Sequence, residues 1–399
     1  MRSKNPSLVR STRSSCQVAI TKATRMSLIE APYRRLTTGE RSNVRDVRHV
    51  GLPQRIARRR ATMTAMAISM SPDWLDSYTE QPVDPTRPIV DPHHHLWPPG
   101  LPLTYGVDEL VADTGSGHNI VKTVFVECGA GYSHRDPDPM APVGETRFVA
   151  AAAADLLDRY PDRAPIAGIV ATADLRSASL DDVLDAHIDA GAGLFRGIRH
   201  ALSAPIAPEE LTIAGRSPAG LADDPAFQAG VRRLGERHLT YDSWHYHHQN
   251  REFLTVARAA PETTMVLDHF GTPLGVGRFA GKHDEIFPTW CEDMREIAAC
   301  ENVVAKLGGL AMPDNGFGYE RMAQPPSSDQ ILADQRHWYE HMIECFGPDR
   351  CMFESNFPVD KMSASYTVVW NVFQKLVADF SDDEQTAMFS GTARRVYSL

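Results

Sequence analysis

The chain has 399 residues, 42% of them hydrophobic and 23% charged, with a formal net charge of −10 at pH 7, a globular composition long enough to bury one large core or two modest ones. Charge is unevenly placed, because residues 1–70 hold 15 Lys and Arg against 3 Asp and Glu while the remainder holds 26 against 48. So acidic a body excludes nucleic acid or an anionic membrane as the main partner, since positive charge supplies most of that affinity, and a small-molecule substrate is expected.

In chain order, residues 1–70 are rich in Arg and Ser and include "RIARRRATMTAMAISM". They read as a transit-like leader, a basic disordered tail, or an upstream extension of the reading frame, with Met63, Met66 and Met70 as later starts. Residues 71–88, "SPDWLDSYTEQPVDPTRP", form a Pro-rich lead-in. From Ile89 onward short β-rich runs alternate with segments of helical period. Eight such runs occur: "IVDPHHHL" (89–96), "VKTVFVECG" (121–129), "IAGIVATADL" (166–175), "LFRGIRHA" (194–201), "LTYDSWHY" (239–246), "TMVLDHFG" (264–271), "NVVAKLGGL" (302–310) and "CMFESNFP" (351–358). Helices are expected in "ETRFVAAAAADLLDRY", "DQRHWYEHMIECF", "YTVVWNVFQKLVADF" and "DDEQTAMFSGTARRVY". This is the pattern of a (β/α)8 TIM barrel over residues 89–399. Segments leading into strands are brief, such as "PETT" and "GPDR", whereas those leaving them are long at 129–144, 202–226, 271–290 and 311–329. Long βα loops at the C-terminal face are where barrels build their sites.

The six cysteines (Cys16, Cys128, Cys291, Cys300, Cys345, Cys351) include no C-x-x-C pair, which argues against a zinc knuckle or a disulfide scaffold and for a cytoplasmic, reducing home. No run of about 18 apolar residues marks a membrane helix. A homo-oligomer is compatible with such a barrel, although no repeat or heptad specifies one.

Each strand exit carries polar or ionisable residues that a purely structural barrel does not need: His93 and His95, Glu127, Asp174, Arg199 and His200, Tyr246 and His247, His269, Lys306, and Glu354 with Asn356. Burying so many is costly unless they pair or bind something. Strand alternation places Asp91, His93 and His95 on one face and Pro92 and His94 on the other. His93 and His95 can then grip one divalent ion, with His269 crossing the barrel mouth as a third ligand. Arg199 and Lys306 can hold an anionic group, Arg by its planar fork, so a small carboxylate-bearing lactone, ester or amide fits the site; the structural alternative for Arg199 is a salt bridge to Glu127 or Glu354. Trp97, Tyr132, Trp244 and Tyr246 can line a pocket for a ring.

These blocks resemble the amidohydrolase superfamily, in particular its branch of metal-dependent hydrolases that includes sugar-acid and pyrone lactonases. The matching pieces are "VDPHHHLW", "VFVECGAGY" with "PVGETRFV", "FRGIRH", "LDHFGTPLG", "NVVAKLGGL" and "CMFESNFPVDK", spread over about residues 88–397. The resemblance implies a barrel, His93 and His95 as first-strand ligands, His269 as the sixth-strand histidine, and hydrolysis at a carbonyl centre with a divalent metal, zinc by ligand type. It also implies a fifth-strand histidine before a Gln, which aligns with His247 or His248 and by spacing is His247. One position departs from the pattern. Where most of the superfamily places an aspartate that takes a proton from water, this chain has Asn356, and an amide is no base at neutral pH. The base is then Glu354, or Asp360 folding back from the next loop. Otherwise the metal site is weak, and Arg199 and Lys306 act by charge with a histidine base. Asp360 otherwise reads as a helix cap for "SYTVVW", and Glu354 as a carboxylate paired with Lys306 or Arg199. Two other functions fit the same residues: a metal-dependent non-oxidative decarboxylase of an aromatic or unsaturated acid, and a catalytically silent ligand-binding barrel.

Overall fold

A computed structural model of the chain describes residues 72–98, 104–132 and 138–399; the basic leader lies outside them. All eight expected strands form: β1 (Ile89–His94), β2 (Ile120–Val126), β3 (Ile166–Ala171), β4 (Phe195–Arg199), β5 (Thr240–Ser243), β6 (Met265–Leu267), β7 (Val303–Leu307) and β8 (Cys351–Phe353). They pair in sequence order, and every paired neighbour is parallel. The ring closes beyond β8, where His95 N donates to Phe357 O at 2.8 Å and Asn356 N to His93 O at 3.0 Å. The architecture is the (β/α)8 barrel.

Apolar residues crowd these strands because both faces are buried. Val90, Val124, Val126, Val170, Val266, Val304 and Met352 form one cluster, which Ala393 and Tyr397 from the far end of the chain complete. Ile89, Phe125, Ile169, Ile198, Leu267 and Phe353 belong to a second, larger cluster shared with the surrounding helices. The valine cluster is the lower interior of the barrel, and the polar strand ends sit above it.

In β1 the alternation slips. Asp91 pairs with Thr123 but His94 with Phe125, so β1 advances three residues while β2 advances two, a bulge at Pro92 and His93. The expected common face of Asp91, His93 and His95 is therefore broken. Asp91 accepts from Ser355 Oγ at 2.6 Å, Ser355 N at 3.0 Å and Tyr366 OH at 2.9 Å, a structural anchor between the closing strand and the helix Tyr366–Leu376.

Helices follow the expected periodicity at Val143–Arg159, Ser328–Phe346 and Tyr366–Leu376. The last expected helix is interrupted, running Asp382–Thr386, a π turn Ala387–Gly391, then Thr392–Val396, and this register sets Tyr397 against the barrel interior. Ser365, not Asp360, caps Tyr366–Leu376 by accepting from Val368 N, which leaves the Asp360 carboxylate for other work. The Pro-rich lead-in is strapped to the outer helices: Glu80 accepts from Ser328 Oγ at 2.6 Å and Asn371 Nδ2 at 2.8 Å.

The long connections all lie at the C-terminal ends of the strands. The β4 loop is latched to the β7 loop by Asp314, whose carboxylate accepts from Thr212 N at 2.6 Å and Ile213 N at 2.8 Å. Among the described residues no helix is long and apolar enough to cross a membrane.

Candidate active site

His93 at the end of β1, His269 after β6 and Glu354 after β8 bring one donor atom each to within 4.8 Å of the others. Glu354 stands between the two rings, 2.7 Å from His93 Nδ1 and 2.7 Å from His269 Nδ1. His269 is held at φ 53° and Asn356 at φ 54°, left-handed conformations that non-glycine residues keep only when the surroundings enforce them. Part of that enforcement is Gly309, where a Cβ would lie 2.4 Å from His269 Nδ1.

His95 lies alongside. Its Nδ1 is 2.8 Å from the Val126 carbonyl and its Nε2 is 3.3 Å from His93 Nε2. A carbonyl only accepts, so Nδ1 of His95 carries the proton and Nε2 a lone pair. His93 Nδ1 lies 2.7 Å from the Glu354 carboxylate and 3.3 Å from Lys306 Nζ. Burial, then the charge of Lys306, pushes the pKa of His93 well below the usual imidazole value; burial, then Arg199, does the same for His95. Both rings stay neutral, the form that ligates metal. Burial also opposes protonation of His269, but Glu354 outweighs it and raises that pKa.

A ring of buried charge surrounds this cluster. Lys306 Nζ is 2.9 Å from Asp242, 3.1 Å from Asp268 and 3.3 Å from His93 Nδ1. Burial disfavours its charge, yet the carboxylates of Asp242, Asp268 and Glu354 overcome this and raise its pKa. Arg199 donates through Nε to Glu127 Oε1 at 2.8 Å and through Nη2 to the Glu127 carbonyl; Nη1 lies 3.4 Å from His93 Nε2 and 3.5 Å from Asp268. Arg199 and Lys306 are thus paired, and the fork expected to be free for an anion is taken up by Glu127. Below them Tyr397 OH donates to Asp242.

The donor set fits a divalent cation. Glu354 Oε1 and Oε2, Asp268 Oδ1 and Oδ2, and His269 Nδ1 are buried without an aligned hydrogen bond, so the short approaches to Glu354 are charge contacts off the hydrogen-bond direction. Four carboxylates (Glu127, Asp242, Asp268, Glu354) also face two permanent cations, Arg199 and Lys306. Buried charge on that scale needs a counter-ion.

Other expected residues go elsewhere. Tyr246 is fully buried and its OH accepts from Gly215 N at 2.7 Å, bracing the β4 loop. His247 accepts from Leu274 N at 3.2 Å and packs on Phe279 and His248, so its observed contacts lie outside the cluster. Asp174 pairs with Arg176, and His200 Nδ1 accepts from Leu175 N. Asn356 turns its amide to Asp360, Nδ2 donating to Oδ1 at 2.8 Å, while Ala311 N reaches Oδ2 at 3.3 Å. Burial pushes Asp360 up to about 7. Asp242 and Asp268 escape a reading that takes polar residues from strand exits: Asp242 sits within β5, and Asp268 directly precedes the more conspicuous His269.

Residues 90–399 match the amidohydrolase family, and the chain belongs to it: an enzyme of the amidohydrolase type on a barrel scaffold. Among characterised relatives it is 27% identical over 289 residues to L-fucono-1,5-lactonase of Burkholderia multivorans, covering 69% of this chain and 90% of that protein. It is 30% identical over 335 residues to the uncharacterized protein y4mH of Sinorhizobium fredii, covering 78% of this chain and 98% of the relative. A crystal structure of an amidohydrolase from Burkholderia multivorans with bound zinc superposes with a TM-score of 0.60 at 24% identity, covering 78% of this chain and 99% of that one.

Proposed function

We propose that this enzyme hydrolyses a carbonyl centre in a small lactone, ester or amide, with His93, His95, His269 and Glu354 holding a divalent ion. The observation that carries the reading is the convergence of His93, His269 and Glu354 donors within 4.8 Å beside buried carboxylate oxygens that lack hydrogen bonds. Mixed imidazole and carboxylate donors suit zinc, the ion bound in the Burkholderia barrel. When bound, such an ion polarises a carbonyl and eases the ionisation of water.

The chain's own groups supply the rest. Asp360, raised to about 7, is the general base in place of the absent strand-end aspartate, because a base works best with a pKa near the working pH. Asn356 Nδ2 fixes one of its oxygens, so the amide at the departing position orients the acid that replaces it. Arg199 Nη1, the arm not spent on Glu127, lies between His93 and Asp268 and holds those two side chains in place. Lys306 holds His93 and Asp268 in register.

The test is metal analysis of protein purified without chelators, alongside ring-opening assays on a lactone panel. His93→Ala and His269→Ala are each expected to abolish turnover and lower bound metal with the fold intact; full activity at full metal content in either variant removes the assignment. Carbon dioxide release from an aromatic acid without ring opening would replace hydrolysis by decarboxylation, and a metal-free, inert protein would leave the binding barrel.

A further inference from the structure

We propose that the substrate is an uncharged lactone with an apolar flank, rather than a carboxylate-bearing or polyhydroxylated one. This deepens the hydrolase reading and rests on it. Two independent observations carry it. The first is an apolar cap. Met312, Val359 and Met362 form their own cluster, only 6%, 7% and 8% exposed, with Trp97 and Ile213 packed against it. These side chains come from four different exit loops, those after β1, β4, β7 and β8. They stand beside the cluster of charged groups: the Trp97 ring is 5.4 Å from the His95 ring, and Val359 directly precedes Asp360. A surface meant for sugar hydroxyls would need donors and acceptors here, since a polar group brought against such a wall loses its water without replacement.

The second observation concerns charge. Recognition of a carboxylate needs a cation with donors to spare. Arg199 has Nε and Nη2 on Glu127 and Nη1 between His93 and Asp268, and Lys306 Nζ is enclosed by Asp242, Asp268 and His93. Nearer the rim, Lys361 Nζ is 2.7 Å from Asp113. A bound divalent ion balances the surplus carboxylates and leaves none of these cations unpaired for a substrate anion. Among the described residues these three cations therefore offer an anionic substrate no spare donor, whereas an alkyl-substituted ring meets Met, Val, Ile and Trp.

The experiment uses the metal-loaded full chain and three δ-lactones of one ring size, bearing an alkyl group, a carboxylate or several hydroxyls. The alkyl lactone is expected to show at least tenfold higher kcat/KM than either partner. Calorimetric binding of the matching cyclic ketones, which cannot be opened, is expected to follow the same order. Ile213→Arg places a cation in the cap and is expected to shift the alkyl-to-carboxylate ratio by about tenfold toward the carboxylate. Val359→Thr, nearly isosteric, is expected to shift the alkyl-to-hydroxyl ratio severalfold toward the hydroxylated lactone. A carboxylated or hydroxylated lactone preferred by the native enzyme overturns the proposal, as do unaltered ratios in both variants. If no lactone opens, the hydrolase reading fails on its own; the alkyl ketone still binding at least tenfold tighter then upholds the apolar preference, and no preference among the ketones overturns it.

Discussion

On the proposed reading, Asp360 is a carboxyl group moved, not lost. The strand end offers Asn356, and the turn after it brings back an acid whose native pKa of about 7 stands above its ordinary 3.8. Between these values the native protein holds a proton that the unfolded chain has released, so this group makes stability fall as pH rises through that window, with the loss complete just above pH 7. Over the upper part of the same window kcat/KM should climb as the base ionises. Asp360→Asn is expected to flatten both trends, read by denaturant midpoints and pH–rate profiles; an unchanged rate profile would remove Asp360 as base. Asn356→Asp sets a second carboxylate where the 2.8 Å hydrogen bond now lies. The two acids must then share a proton, so activity should survive but its acidic limb should move upward by about one pH unit or more. A limb that stays in place would mean the pair does not interact.

At the scale of elements, two contacts hold the site from above and below. Tyr397 donates to Asp242, which accepts from Lys306 Nζ at 2.9 Å. Tyr397→Phe strips one partner from a fully buried carboxylate and should lower stability by about 1–3 kcal/mol, with a matching fall in the denaturation midpoint; no change would show the hydroxyl to be dispensable. Above, Asp314 ties the β4 loop to the β7 loop through Thr212 and Ile213. Asp314→Ala is expected to speed amide exchange at those two residues and to raise KM more than it changes kcat, because Ile213 belongs to the cap. Slow exchange in that variant would mean packing alone holds the loop. What was legible in the sequence follows the same division. The eight strands announce themselves as short β-rich runs between helical segments, and His93, His95, His269 and Glu354 are visible at their ends. Strand alternation alone puts Asp91 on the wrong face, because a bulge adds one residue without altering composition. Asp360 looked like a cap because its distance from a helix start is readable, whereas its fold back onto Asn356 is a tertiary event. The pairing of Arg199 with Glu127 joins residues 72 positions apart, so the sequence left it as one of two open choices.

For the whole molecule, the expected ion is a folding ligand as much as a catalytic one. It would bind the native cluster and have little to grip in the unfolded chain, so its removal should lower Tm, and an ion present at a hundred times its Kd should restore about 2.7 kcal/mol. Dialysis against chelator followed by stepwise addition of zinc, monitored by calorimetry, checks this; a Tm indifferent to both steps would argue that Arg199 and Lys306 alone balance the acids. Fold and chemistry are thus coupled through one polar layer, seated on the valine cluster and roofed by methionines.

The floor of that layer is written late in the chain. Ala393 and Tyr397 join residues of β1, β2, β3, β6, β7 and β8 in the lower interior, so a nascent polypeptide still threaded through the ribosome at this stretch has its strands but lacks the hydroxyl under Asp242. Until that stretch has emerged, the half-built barrel presents wet acids above an unsealed floor.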